Sequence, residues 1–357
     1  MKPSFTSPAG ELLMLRLVAP RWNSLVEQEL RALEPGGILL AGPLPQFPET
    51  IYDLLGGISR SLPAPPILAL ETDASADELN ALLPPLPSPR ALAQEGARFV
   101  RQAGELIGEA LKLLGFNTLF ALTLDIASQF TEESLGASTF SADPRVVAEC
   151  GALFVEGVSR HKILACAKHF PGLASSPPAP AGELSTSGRS MAELWRSDLV
   201  PYRELLPRVP LVVMSTAAYR AYDFDFPRSA VLSSQVVAGL LRAKLAYRGV
   251  VVAPQLESQM VRGVLELAPA AVQSLGAGCD MLLVESVESW QAMRRGIEEA
   301  LATGELPSER LEQSVARIRD AKREWKPPKG QFSKKAWQRL ARRFEEFNSN
   351  FREAKIA

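Results

Sequence analysis

Residues 163–172, Ile163-Leu164-Ala165-Cys166-Ala167-Lys168-His169-Phe170-Pro171-Gly172, join a short apolar run to a Lys-His pair and a Pro-Gly stop. The apolar half reads as a buried strand and the polar half as its exit. Similar runs recur along the chain with helix-like stretches between them, the pattern of β/α units and a parallel sheet. The sequence predicts strands at Leu13–Val18, Gly37–Ala41, Pro66–Glu71, Thr118–Asp125, Ile163–His169, Leu211–Thr216, Gly249–Ala253 and Asp280–Glu285. Amphipathic stretches at Ala91–Leu114, Pro144–His161, Ser233–Ala246 and Pro269–Gly276 read as helices between them. Several strands are apolar on both faces, as when helices cover a sheet outside and side chains fill it inside. Eight such units fit an α/β fold of the (β/α)8 TIM-type barrel class, with active groups at the strand C-termini. A doubly wound sheet is the alternative, but no Gly-x-Gly-x-x-Gly follows an early strand.

Composition bounds the function classes. The chain has 357 residues, 46% hydrophobic and 22% charged, enough for one large core. A net charge of −1 gives no general attraction to nucleic acid. Three widely spaced cysteines, Cys150, Cys166 and Cys279, argue for buried thiols in a reducing compartment rather than a disulfide framework. Two histidines and no close Cys/His pair give no support to a metal site, and no motif calls for a cofactor. No basic-then-apolar leader opens the chain and no run of about twenty apolar residues spans a membrane, so a cytoplasmic location is expected.

Two segments stand apart. Leu173–Arg189, rich in Pro, Ser, Ala and Gly, reads as a mobile loop at the strand-5 exit. After Trp325, the break Lys326-Pro327-Pro328-Lys329-Gly330 leads into a helix from about Lys334 to Lys355, with Trp337, Leu340, Phe344, Phe347 and Phe351 at helical spacing. From Lys326 onward nine basic residues face three acidic ones, a balance of +6 that leaves −7 for the rest. The expected division is 1–325 as the barrel and 326–357 as linker and basic amphipathic helix. That helix docks its aromatic stripe on the acidic barrel or serves a partner subunit or membrane surface.

The Lys168–Gly172 motif at a strand end resembles glycoside hydrolase family 3, most closely its bacterial β-N-acetylhexosaminidases. The resemblance runs from about Gly37 to Ala321 and rests on several segments. Gly37-Ile38-Leu39-Leu40 is similar to the family's second strand. Phe120–Asp125 resembles its Phe-Ala-Pro-x-x-Asp strand, and Phe140-Ser141-Ala142-Asp143-Pro144 matches the stretch that enters the next helix. Leu241–Val252 resembles the helix and strand before the nucleophile, and Ala277–Val284 resembles strand 8.

The resemblance implies a sugar-binding mouth in which Lys168 and His169 hold hydroxyls, with cis peptides around the motif. It also marks departures. The Asp-Gln-Glu-Gly-Gly end of strand 3 is here Glu71-Thr72-Asp73-Ala74-Ser75, and a sugar-contacting Arg becomes Ser138. The strand-6 His is missing at Ser215-Thr216-Ala217. The strand-7 Ser-Asp, whose Asp is the nucleophile, is replaced by Ala253-Pro254-Gln255. The acid/base loop holds no His, and its one acid is Glu183. Proline supplies neither a nucleophile nor an N–H, so the usual retaining chemistry lacks its attacking group.

The expected functional residues follow. Lys168, His169 and Glu71 are substrate-binding candidates, with Asp125 behind them holding neighbouring loops. Catalytic candidates are Glu257, Glu71 and Asp73, Glu257 lying three residues past Pro254. Glu285 reads as an edge or capping residue and His161 as a surface one. A lysine at the inner end of a barrel strand needs a partner, which Glu71 or Asp125 would supply. The function expected is a catalytically degenerate relative with weak binding of a sugar or cell-wall glycan fragment. An active glycosidase with relocated carboxylates Glu257 and Glu71, or a partner-binding protein acting through the C-terminal helix, are the alternatives.

Overall fold

A computed structural model describes residues 8–18, 22–72, 77–180, 183–254, 256–258, 265–327 and 330–354. Asp73, Gln255 and Lys355 lie outside the described residues. Eight parallel strands close a barrel: β1 (Leu13–Val18), β2 (Gly37–Ala41), β3 (Ile67–Glu71), β4 (Thr118–Phe120), β5 (Leu164–Phe170), β6 (Leu211–Met214), β7 (Val250–Ala253) and β8 (Met281–Val284). Closure comes from β1, which pairs with β2 on one side and β8 on the other, Leu15 standing opposite both Ile38 and Val284. Strands buried on both faces need continuous apolar runs; β2, β7 and β8 are buried at every position.

All eight predicted strands form, three of them shorter at the exit. The largest difference is at Thr118–Asp125, where regular pairing stops at Phe120 because Leu122 takes a left-handed backbone (φ +85°). The chain beyond it still follows β5: Thr123 bridges Lys168, and Leu124 N–H donates to the Lys168 carbonyl at 2.8 Å. That turn aims Asp125 at β5 rather than along its own strand. The predicted helix Ala91–Leu114 is two helices, Pro89–Glu95 and Ala97–Leu114, because Gly96 breaks it at φ +111°. Ser233–Ala246 is wound instead as a π-helix over Gln235–Lys244, with Leu245 N–H reaching the Leu240 carbonyl.

One buried carboxylate closes the last unit. Asp280, just before β8, accepts hydrogen bonds from Arg242 of the π-helix, Arg310 (3.2 Å), Arg317 (2.9 Å), Ser314 (2.9 Å) and the Val251 N–H (2.9 Å). A fully buried charge is tolerable only with such a complete set of donors. The final helix, Lys334–Ala354, buries Trp337, Leu340, Phe344, Phe347 and Phe351. Phe347 and Phe351 stand edge-on to Phe99 of Ala97–Leu114 at 5.7 and 5.2 Å between centroids. Arg343 pairs with Glu109, and Lys334 with Glu49 at 3.3 Å. No helix among the described residues is long and apolar enough to cross a membrane.

Candidate functional site

The C-terminal ends of the strands surround a cavity of about 600 Å³. Its wall takes Arg16 from β1, Glu71 from β3, Lys168 and His169 from β5, Ser215 and Thr216 after β6, Pro254 after β7 and Glu285 after β8. The short strands put each of these side chains at an exit, where a barrel exposes its functional groups.

Arg16 organises one side of the mouth. Its Nε donates to Glu71 Oε2 and its Nη1 to Glu285 Oε2, both at 3.2 Å. Burial opposes the charged guanidinium, but the Glu285 charge and the Glu71 hydrogen bond outweigh it and raise the Arg16 pKa. Glu285 is therefore part of the mouth, which corrects its reading as an edge or capping residue. Arg16 was not among the residues expected at the site. Its signal was a lone charge inside Leu-Met-Leu-Arg-Leu-Val, a strand otherwise apolar and interior.

The Lys-His pair is held differently from expectation. Lys168 Nζ donates to the carbonyls of Thr72 (3.2 Å) and Phe120 (3.4 Å), not to Glu71 or Asp125. Glu71 is taken by Arg16, and Asp125 is turned under His169. An ammonium has three donors, so one Lys168 N–H is left for the cavity. Asp125, buried, accepts the Leu173 N–H at 2.8 Å and the His169 N–H at 3.3 Å, and lies 2.8 Å from His169 Nδ1. With Asp125 accepting throughout, Nδ1 carries the proton and Nε2 is the acceptor that remains for the mouth. The peptides Lys168-His169 and Phe170-Pro171 are both cis.

Glu257 lines the cavity three residues beyond Pro254 and is half-buried. Its Oε1 accepts the Glu285 N–H at 2.9 Å, while Oε2 is buried without a hydrogen-bond partner among the described residues. Burial raises its pKa above the usual carboxylate range, the backbone hydrogen bond from Glu285 opposing that in part. Glu183 is exposed and away from the mouth.

The loop after β5 is tied down at its two ends, while Pro177, Pro178, Pro180 and Glu183 between them are exposed. Thr186-Ser187 pairs in parallel with Ala218-Tyr219, Ser175 and Ser187 hydroxyls meet at 2.6 Å, and Tyr219 Oη donates to the Gly172 carbonyl at 2.6 Å. Arg189 pairs with buried Asp198 behind Gly172, whose carboxyl pKa is raised by burial despite that guanidinium. His161 is also corrected, being half-buried with Nε2 enclosed and unpartnered. Among the described residues, no three His, Cys, Asp or Glu side chains gather as a metal site would require.

The profile of the "Glycosyl hydrolase family 3 N terminal domain" matches residues 10–321. The chain belongs to glycosyl hydrolase family 3. A β-hexosaminidase of Pseudomonas aeruginosa is 27% identical over 260 residues, covering 72% of this chain and 77% of that one. β-Hexosaminidase A of Pseudoalteromonas piscicida is 27% identical over 243 residues, covering 63% of this chain but only 41% of the relative. Among solved structures, a family 3 β-N-acetylglucosaminidase from Paenibacillus superposes with a TM-score of 0.83 over 95% of this chain and 68% of that one, at 24% identity. On this family 3 barrel, the mouth is lined by Lys168, His169, Ser215 and Thr216, with Pro254 on its strand-7 wall.

Proposed function

We propose that this family 3 barrel is catalytically degenerate and binds a hexosaminide-type sugar or cell-wall glycan fragment weakly at its mouth, without cleaving it. The observation that carries the reading is Pro254 on the cavity wall at the strand-7 exit, where the family resemblance expects the attacking carboxylate. Retaining hydrolysis needs a carboxylate at the anomeric carbon and a proton donor on the leaving oxygen. Of the carboxylates that line the cavity, Glu71 and Glu285 are engaged by one guanidinium. What remains suits hydroxyls: one Lys168 N–H, His169 Nε2, and the Ser215 and Thr216 side chains.

A second reading is an active hydrolase with moved chemistry. Glu257 favours it, since a buried carboxyl with a raised pKa and an unpartnered oxygen at a cavity is the form a general acid takes. Aryl β-glycosides led by the N-acetylglucosaminide discriminate the two, with Glu257→Gln as control. No turnover above the uncatalysed rate supports degeneration; turnover that Glu257→Gln abolishes establishes the second reading.

Residues 1–325 form the barrel unit in this proposal, and 326–357 a linker and helix that docks on it rather than a partner-binding arm. The Phe99 ring contacts and the buried aromatic stripe support that assignment. Three buried, unpaired thiols favour a reducing compartment such as the cytoplasm.

A further inference from the structure

At the opposite end of the barrel from the mouth lies a cavity of about 970 Å³, larger than the mouth itself. It opens between the turns that enter β4, β5 and β6 and the end of the helix Ser308–Ala321. That volume is at the upper end for organic-ligand sites. Five basic side chains line it against two acidic ones, on a chain with a net charge of −1.

The excess is not neutralised internally. Arg323 is paired with Asp320 at 3.2 Å, but Lys112, Lys162, Arg208 and Lys326 make no ion pair among the described residues. These four come from four separate segments, so helical periodicity does not bring them together. Lys162 holds a left-handed backbone (φ +59°), a conformation non-glycine residues seldom adopt. All four are exposed at the rim, where their charges are open to an anion arriving from solvent.

Two further groups define more than a charge. His161 lines the cavity with a ring that burial keeps neutral by lowering its pKa, while its Nε2 is enclosed by protein without a hydrogen-bond partner among the described residues. Trp325, half-buried and packed against the core, lines the cavity together with the buried Phe116 and Ile163.

We propose that this cavity binds an organic phosphate bearing a planar ring, of the nucleoside phosphate class. The phosphates sit among Lys112, Lys162, Arg208 and Lys326 through charge-assisted hydrogen bonds, and the ring stacks on Trp325 within reach of His161. The site is independent of how the mouth is read, because no residue lines both cavities.

Titration calorimetry of the full chain with ADP tests it, alongside Lys162→Ser/Arg208→Ser and Trp325→Ala. Lys162 and Arg208 are exposed and Trp325 is half-buried, so circular dichroism melts check that each variant keeps its fold. The expected result is saturable one-to-one binding, weakened about tenfold or more by the double substitution and clearly by Trp325→Ala. Tripolyphosphate should compete, but more weakly than ADP. Absence of saturable ADP binding, or the same affinity in folded variants, would overturn the proposal. Tripolyphosphate binding as tightly as ADP with Trp325→Ala silent would also overturn it, since no ring would then be recognised.

Discussion

A guanidinium between two carboxylates binds them together and engages one oxygen of each. Arg16 does this to Glu71 and Glu285, while Pro254, at the exit of the neighbouring β7, offers no functional group at all. Glu257 is the exception, and its titration gives a sharp expectation. Its folded pKa is raised, so the native state keeps a proton that the unfolded chain has lost. The stability this contributes is fully present below the unfolded value near 4.5 and is lost as pH rises through the raised folded value. Glu257→Gln, which mimics the neutral acid, should match the parent near pH 4 and exceed its melting temperature near pH 7. Melts across that range check it; a variant less stable at pH 7 would mean that Glu257 is needed there as an anion.

At this scale the sequence was legible where chemistry is local. Pro254, on which the proposed loss of the nucleophile rests, is read directly from the sequence, and Asp125 hydrogen-bonds to the backbone of His169 and Leu173. The partner of Lys168 was not legible, because it depends on Arg16 reaching Glu71 across 55 residues of chain. A competition for partners among distant side chains leaves no periodic trace.

Elements are set by apolar runs and by the residues that stop them. The eight strands were readable because interior parallel strands are apolar on both faces. Their ends were not, since Leu122's left-handed backbone has no glycine to announce it. Helix packing follows from small residues. A Cβ at Gly157 would stand 2.3 Å from the Arg101 carbonyl oxygen, and one at Gly104 would stand 2.4 Å from that of Phe154. The helices Ala97–Leu114 and Pro144–Ser159 therefore meet backbone to backbone. Gly157→Ala should destabilise by about 1–3 kcal/mol through overpacking, reversing the usual helical gain of about 1 kcal/mol. Gly276→Ala, with nothing within 4 Å of the added methyl, is the control and should stabilise. Urea unfolding of the pair measures both signs.

Over the whole molecule, the chain ends in a helix that covers part of the barrel's outer layer. Five buried apolar side chains, at about 1.5–3 kcal/mol each, make its removal costly. Deleting residues 334–357 should leave an aggregation-prone protein, or lower its melting temperature by about 10 °C or more. An unchanged melt would return the helix to the role of a free arm. The aromatic spacing made the stripe legible, but the stripe alone did not choose its surface; Phe99, Glu109 and Glu49 do.

The central claim is that a family 3 barrel keeps its mouth and has lost its covalent chemistry. Intact-protein mass spectrometry after incubation with a 5-fluoro-N-acetylglucosaminyl fluoride, which traps glycosyl-enzyme intermediates, tests that most directly. The account predicts an unchanged protein mass. A gain of one sugar, mapped to any carboxylate at the mouth, would contradict it.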